Sequence, residues 1–534
     1  MRASRRQVLG ILGVGGAVAA TGGLWRAAGS PVGSTGALLR SAGPLPERFR
    51  VPLPIPREAK VVRGRGPGGR DRVELVARES EFEILPGRHT RIWGYDGTFP
   101  GPTIRGRRAR ALDVVLRNEL SVPTVLHLHG GQTPPASDGY PTDYVLPQGV
   151  SEPTVMGPQG TSTSVTRTYE FPLKQRAATL WYHDHAMDFT APNVYRGLAG
   201  MFVVEDEQDA ALGLPTGERD LPLVIADRSF GADGDLLYPA LFADRRGPGV
   251  QSRFMGGVLG DVVLVNGAPW PVHEVDAARY RLRVLNASSA RRYELVLDGH
   301  GSARPFVQVG SDQGLLERPL QRGSIVVAQG ERSDVVVDFG GLPVGARVTL
   351  RDTLDPDVVG GILILQFVVA RKAADESRVP EALASAASMR VIDPREVTAT
   401  RSFHFQLRAD GGGGGGRSQH GRAHPSGHLW TVNGVTFASG ADVARPVLGT
   451  VERWRFTTDV HHPVHVHALR MQVVGRNGGD PRGGDLGWKD TIDLRPGEVV
   501  EVLTRIEGYR GRYVMHCHNL EHEDMAMMVN FTIV

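Results

Sequence analysis

Ten of the 18 histidines in this 534-residue chain fall into four tight clusters, and the single cysteine sits inside one of them. The clusters are His127-Leu128-His129, His183-Asp184-His185, His462-Pro463-Val464-His465-Val466-His467, and His516-Cys517-His518, with His522 and Met527 just beyond. Imidazoles and thiolates bind transition metals, so the clustering predicts metal chemistry. One cysteine can form no internal disulfide, and Cys517 between two histidines reads as a ligand.

Alternation along a strand puts residues i and i+2 on one face and residue i+1 on the other. His516 and His518 are therefore expected to point one way and Cys517 the opposite way. A thiolate with imidazoles and a more distant thioether is what a blue-copper electron-transfer site requires. His522 and Met527 can supply one imidazole and the thioether, and His462 the other imidazole, with Pro463 holding its loop. The pairs 127/129, 183/185, 465/467 and 516/518 become four forks, enough imidazoles for three more coppers with positions open to oxygen. Since Cys517 is bonded through the backbone to His516 and His518, an electron arriving at sulfur has a short route to the far side. Spacing fixes the forks but not which copper each tine holds.

Neighbouring residues read more plainly. His461 is out of register with His465 and His467 and is expected to be structural or exposed. Asp184 lies between two ligands and should face away from the metal. Met525 and Met528 read as core, and Trp181 and Tyr182 as walls of the cluster. His404, His420, His424 and His428 surround the run Gly411 to Gly416 and read as part of a solvated loop.

The elements that must hold these clusters are mostly strands. Hydrophobic residues make up 41% of the chain, with 68 Gly and 36 Pro, a composition that suits short strands joined by turns. The length predicts about three domains. An Asn/Asp-Gly turn recurs at Asp96-Gly97, Asn266-Gly267 and Asn433-Gly434, spaced by 170 and 167 residues. Strand-like runs follow each: Ala111 to Leu120, Tyr280 to Asn286 and Val451 to Thr457. Three copies of one β-sandwich are expected, over 45–210, 211–371 and 395–534, and the linker from Arg371 to Pro394 is expected to be partly helical.

The charge balance excludes an electrostatic partner. Of 61 basic residues against 58 acidic, Arg2, Arg5, Arg6 and Arg26 all precede the first acidic residue, Glu47. Without those four the chain is nearly neutral, which argues against nucleic acid or an anionic membrane. Residues 1–36 read as a leader and linker: Ser4-Arg5-Arg6-Gln7-Val8-Leu9 precedes a Gly- and Ala-rich apolar stretch, like a twin-arginine export signal. The stretch is too short to span a membrane. An exported protein, extracellular or in the cell envelope, is expected, with cleavage between Ala28 and Gly36.

HLHG (127–130), WYHDH (181–185), HPVHVH (462–467) and HCHNLEHEDMAMM (516–528) resemble the four copper signatures of multicopper oxidases. The likeness extends through GYDGTFPGPTI (94–104), SDGYP (137–141), NVYRGLAG (193–200), VLVNGAPWP (263–271), YRLRVLNAS (280–288), GERSDVVVDF (330–339) and GWKDTI (487–492). It is nearest the branch of bacterial spore-coat laccase, bilirubin oxidase and phenoxazinone synthase. The resemblance implies an all-β chain of three cupredoxin-like Greek-key β-sandwich domains and four copper ions. It implies His462, Cys517, His522 and Met527 at type 1, and His127 and His465 at type 2. For the type 3 pair it implies His129, His183 and His518 on one copper, and His185, His467 and His516 on the other. Asp138 and Glu523 resemble acids that deliver protons to oxygen in this branch. The expected reaction takes electrons from a phenol, aminophenol or bilirubin-like molecule at an exposed edge of His462 and reduces dioxygen to water. A cuprous-ion oxidase is the alternative, although the stretch Val473 to Trp488 contains no methionine. A copper-binding protein without turnover is the third reading.

Overall fold

The computed structural model describes residues 34–66, 68–150, 161–242, 249–355, 358–384, 391–409, 428–437 and 440–534. The twin-arginine motif, the glycine run, His420 and His424 lie outside the described residues.

One local unit is built three times. Asp71–Phe82 pairs antiparallel with Thr90–Tyr95 and parallel with Leu112–Asn118. Asp220–Arg228 does the same with Val262–Val265 and Arg279–Asn286, and Val397–Ala409 with His428–Val432 and Val451–Thr458. The turn after the second strand is Asp96-Gly97, Asn266-Gly267 or Asn433-Gly434, with φ of 54° and 74°, 52° and 86°, and 53° and 75°. Short polar side chains tolerate this left-handed region because they bond locally. Here each bonds back to the first strand of its unit: the side-chain oxygens of Asp96, Asn266 and Asn433 accept from the backbone N–H of Val76, Val224 and His404 at 2.8, 2.8 and 2.7 Å. The turn residue thus closes the hairpin and sets its register.

Each unit grows into two sheets that share one core. In the first sandwich, Val73, Val114 and Tyr169 from one sheet meet Leu126, Leu180 and Phe202 from the other. In the second, Leu223, Val284 and Val335 meet Val275, Leu350 and Leu365. In the third, Phe403, Trp454 and Val500 meet Val464, Tyr513 and Phe531. Burial of aliphatic and aromatic side chains at about 1.5–3 kcal/mol each supplies the main stabilising term.

Among the described residues, α-helix is confined to Thr190–Arg196, Glu207–Ala211 and Leu520–Asp524, and no helix is long and apolar enough to cross a membrane. The described part of the Arg371 to Pro394 linker contains no α-helix, and its residues 385–390 lie outside the described residues. Its backbone instead bonds to the sandwiches beside it: Arg378 N–H donates to Gly213 O and Leu383 N–H to Glu317 O, at 2.8 and 2.9 Å.

Candidate metal centre

Two antiparallel strand pairs carry the histidines. Leu126–His129 runs beside Ala178–Asp184 with His127 opposite His183 and His129 opposite Trp181. His462–Val466 runs beside Gly511–Cys517 with His465 opposite His516 and Val464 opposite Cys517. Directly opposed residues share a face, so the first and third sandwiches present imidazoles to each other. Cys517, one residue along, packs inside the third sandwich with Val464 and Met527.

The donor atoms gather into groups whose members lie within 4.8 Å of one another: His127, His129 and His465; His129, His183 and His518; His185, His467 and His516; and His462, Cys517 and His522. His127 Nε2 is 3.4 Å from His465 Nε2. His516 Nε2 is 3.3 Å from His185 Nε2 and 3.2 Å from His467 Nε2. The outer nitrogens are held by acceptors. His127 Nδ1 donates to Asp138 O at 2.5 Å, His465 Nδ1 to Asp490 O at 3.0 Å, His183 Nδ1 to Asp184 O at 2.8 Å, and His467 Nδ1 to Asp138 Oδ2 at 2.7 Å. A proton on the outer nitrogen leaves the inner one with a free lone pair, as metal binding requires.

The fourth group is different in kind. His462 Nδ1 is 3.3 Å and His522 Nδ1 is 3.6 Å from Cys517 Sγ, and the two nitrogens are 3.1 Å apart. Met527 is buried in the same core, and its carbonyl accepts from Cys517 N–H at 3.1 Å. Trp430 stacks on His522 with ring centroids 3.7 Å apart.

These residues fit a metal on chemical grounds. His129 Nδ1, His183 Nε2 and His518 Nε2 are buried without a hydrogen-bond partner, and each such atom costs about 1–3 kcal/mol unless something else satisfies it. Burial pushes the Cys517 thiol well above its ordinary value, opposed by the Asn519 N–H, so the thiolate forms when a cation stabilises it. Burial also holds His183 and His185 neutral, down to about 3 and about 4.

Two acids stand beside the histidine groups. Burial pushes Asp138 up to about 8, with the Thr133 hydroxyl pulling the other way. Burial acts in the same sense on Glu523, yet His516 and His185 hold it well below the usual carboxylate range. Glu523 Oε2 is 3.1 Å from His516 Nδ1 and Oε1 is 3.6 Å from His185 Nδ1.

The structure thus brings together all ten clustered histidines, Cys517, Met527, Asp138 and Glu523. Asp184 faces away as expected, its carboxylate accepting from Thr124, Val125, Ala186 and Asn193. His461 is buried and donates from Nε2 to Asp493 at 2.7 Å. Trp181 lies against His183, with centroids 4.2 Å apart, and His404 is exposed on its strand. Two expectations are corrected: Tyr182 packs in the core of the first sandwich rather than against the histidines, and His462 has no exposed edge, being 0% exposed. Phe405 and Trp430 pack beside its ring, and its Nε2 meets Asp459 Oδ1 at 3.3 Å. Sequence reasoning missed Asp459, Trp430, Arg332, Asp490 and Thr491. The runs GERSDVVVDF and GWKDTI contain the last three and were the available signal; nothing marked the first two.

Two family models, both described as multicopper oxidase, match residues 77–209 and 417–534 respectively. The chain is 34% identical to a laccase of Bacillus subtilis (strain 168), over 90% of this chain and 98% of that one. It is 31% identical to a bilirubin oxidase of Albifimbria verrucaria, over 90% and 81%. Its fold is similar to that of a multi-copper oxidase from Pediococcus acidilactici, with a TM-score of 0.76 and 28% identity over 93% of each chain.

The buried imidazoles set an acid limit on the metal-free protein. A histidine whose folded value lies below its unfolded value of about 6.5 takes a proton only when the chain unfolds, so acidification through about 6.5 favours unfolding. Ten buried histidines act in this sense. Six buried acids pushed upward, Asp138 among them, act oppositely and are outnumbered. Denaturant unfolding of metal-free protein should therefore show stability falling from pH 7 to pH 5. Equal stability at both would show that these rings are not held neutral by burial.

Proposed function

This chain belongs to the multicopper oxidase family, and from that premise we propose that it is a laccase-type oxidase of phenolic, aminophenolic or bilirubin-like donors. Its sandwiches are cupredoxin-like, and we take 45–210, 211–371 and 395–534 as the three domains. The observation that carries the reading is the continuity of His516, Cys517 and His518: the sulfur belongs to one donor group, and its two neighbours belong to two others.

We assign His462 Nδ1, Cys517 Sγ and His522 Nδ1 to a type 1 copper, with Met527 as the distant axial ligand. His127 and His465 take a type 2 copper. His129, His183 and His518 take one type 3 ion, and His185, His467 and His516 the other, four coppers in all. Copper bound there supplies the one-electron steps and the four-electron reduction of dioxygen to water.

The side chains prepare that chemistry. Burial of His462 means that a donor does not touch the imidazole, so we route the electron through Asp459, whose side chain is 34% exposed and bonded to His462 Nε2. Trp430 and Phe405 exclude water from the thiolate. Asp138, with its value near neutrality, holds a proton on its carboxyl beside His467 Nδ1 and releases it as water forms. Glu523, whose Oε2 lies 3.1 Å from His516 Nδ1, passes protons toward the histidine groups as water forms. The relatives called laccase and bilirubin oxidase support the donor class. The arginine pair near the start supports export by the twin-arginine route.

The test is oxygen uptake by copper-loaded protein offered phenols, aminophenols, bilirubin and cuprous ion in parallel. Four donor radicals per oxygen with the organic donors is the expected result. Rapid uptake with cuprous ion alone would replace the reading with metal oxidation, and no uptake at all would leave a binding protein. Glu523→Gln should keep the blue absorption and slow turnover by about 100-fold, the lower range for a lost proton-transfer group. Wild-type oxygen consumption at every pH would remove Glu523 from the mechanism.

A further inference from the structure

The middle sandwich supplies none of the ten clustered histidines, yet one of its side chains sits against them. Arg332 is 1% exposed, and all five of its N–H donors find acceptors in three sandwiches. Nε donates to Thr179 O of the first at 3.0 Å. One terminal nitrogen donates to Gly330 O at 2.7 Å and to Asp490 Oδ1 of the third sandwich at 2.9 Å. The other donates to Asp312 O at 3.0 Å and to Asp490 Oδ2. The two bonds to Asp490 form a fork that fixes the carboxylate in its plane.

That carboxylate faces a ring of the metal centre. Asp490 Oδ1 is 3.1 Å from His129 Nε2, and the Thr491 hydroxyl is 3.0 Å from the same nitrogen while donating to Asp490 Oδ1 at 2.9 Å. Gln313 Nε2 donates to Asp490 Oδ2 at 2.6 Å. With both oxygens already accepting from Arg332, Thr491 and Gln313, the Asp490 side chain meets His129 Nε2 as an acceptor, which assigns the ring proton to Nε2. The lone pair then falls on Nδ1, the nitrogen that is buried with no hydrogen-bond partner. The backbone carbonyl of Asp490 accepts from His465 Nδ1 at 3.0 Å, and the rings of His129 and His465 stack 3.6 Å apart. Backbone from the middle sandwich closes in as well: a Cβ on Gly330 would lie 3.0 Å from both His129 and His518.

We propose that Asp490 is a positioning residue that fixes the orientation and tautomer of His129, and that Arg332 of the middle sandwich holds the Asp490 carboxylate for that purpose. The proposal rests on the three-copper reading above. Groups that orient a metal-bound histidine typically change metal affinity or activity by about 10–100-fold when removed.

The experiment uses copper-loaded wild type, Asp490→Asn and Thr491→Val, with copper content after dialysis against a chelator, visible absorption and electron paramagnetic resonance as readouts. The amide introduced by Asp490→Asn keeps the shape of the carboxylate but can turn its N–H toward His129 and favour the other tautomer. Asp490→Asn should keep the blue absorption, lose copper from the histidine groups about 10–100-fold more readily, and show new resonance signal from uncoupled type 3 ions. Thr491→Val should shift the same readouts in the same direction by less, and it decides the matter if Asp490→Asn does not fold. Wild-type copper retention and resonance in the folded variants would overturn the proposal. Loss of blue absorption in step with the type 3 change would overturn it too, because the effect would then be general loosening. A wild-type chain lacking a coupled copper pair would instead sink the three-copper reading itself.

Discussion

The arrangement depends on the register of one strand. Gly511–Cys517 is paired on both sides, with His462–Val466 and with Met528–Ile533, so its faces are fixed by two ladders at once. In that register the thiol points into the third sandwich and the His516 ring points out to the first. A slip of one residue would exchange them, because side chains alternate along a strand. The donor group that holds the sulfur and the groups that hold His516 and His518 are therefore joined through one strand, and they cannot drift apart without breaking a sheet.

Burial is the second constraint, and it acts in two directions. It removes the proton from imidazoles that must offer lone pairs, and it keeps the thiol protonated until a cation arrives. It also takes His462 away from the surface, leaving the part-exposed Asp459 beside its Nε2 as the group between that ring and solvent. A dry redox centre gains defined electrostatics at the expense of direct contact with substrate. Arg332 and Asp490 extend the same logic, since a buried ion pair keeps its geometry where water would blur it.

The ligand clusters were legible in the sequence because each fork is local: two residues apart on a strand share a face whatever the rest of the chain does. The repeated Asp/Asn-Gly turns were legible for a similar reason, as positive φ demands particular residues. Asp184 and His461 could be set aside from register alone. What could not be read was contact between distant segments. Trp430 reaches His522 across 92 positions of sequence, Arg332 reaches Asp490 across 158, and no spacing rule connects them. The expected exposure of His462 failed on the same point, since accessibility is decided by whatever packs over a ring. The linker after Arg371 composed in part like a helix, and in its described part the backbone instead bonds to Gly213 and Glu317 of the sandwiches beside it.

The central claim is that electrons pass from the Cys517 sulfur to the histidines on either side. Its most direct measurement is the visible spectrum and phenol oxidation rate of Cys517→Ser protein whose remaining copper sites are shown to be filled. The account predicts that the blue absorption disappears and that phenol oxidation falls to a small fraction of wild type. A Cys517→Ser variant, loaded at those remaining sites, that is still blue and oxidises phenols at the wild-type rate would contradict it.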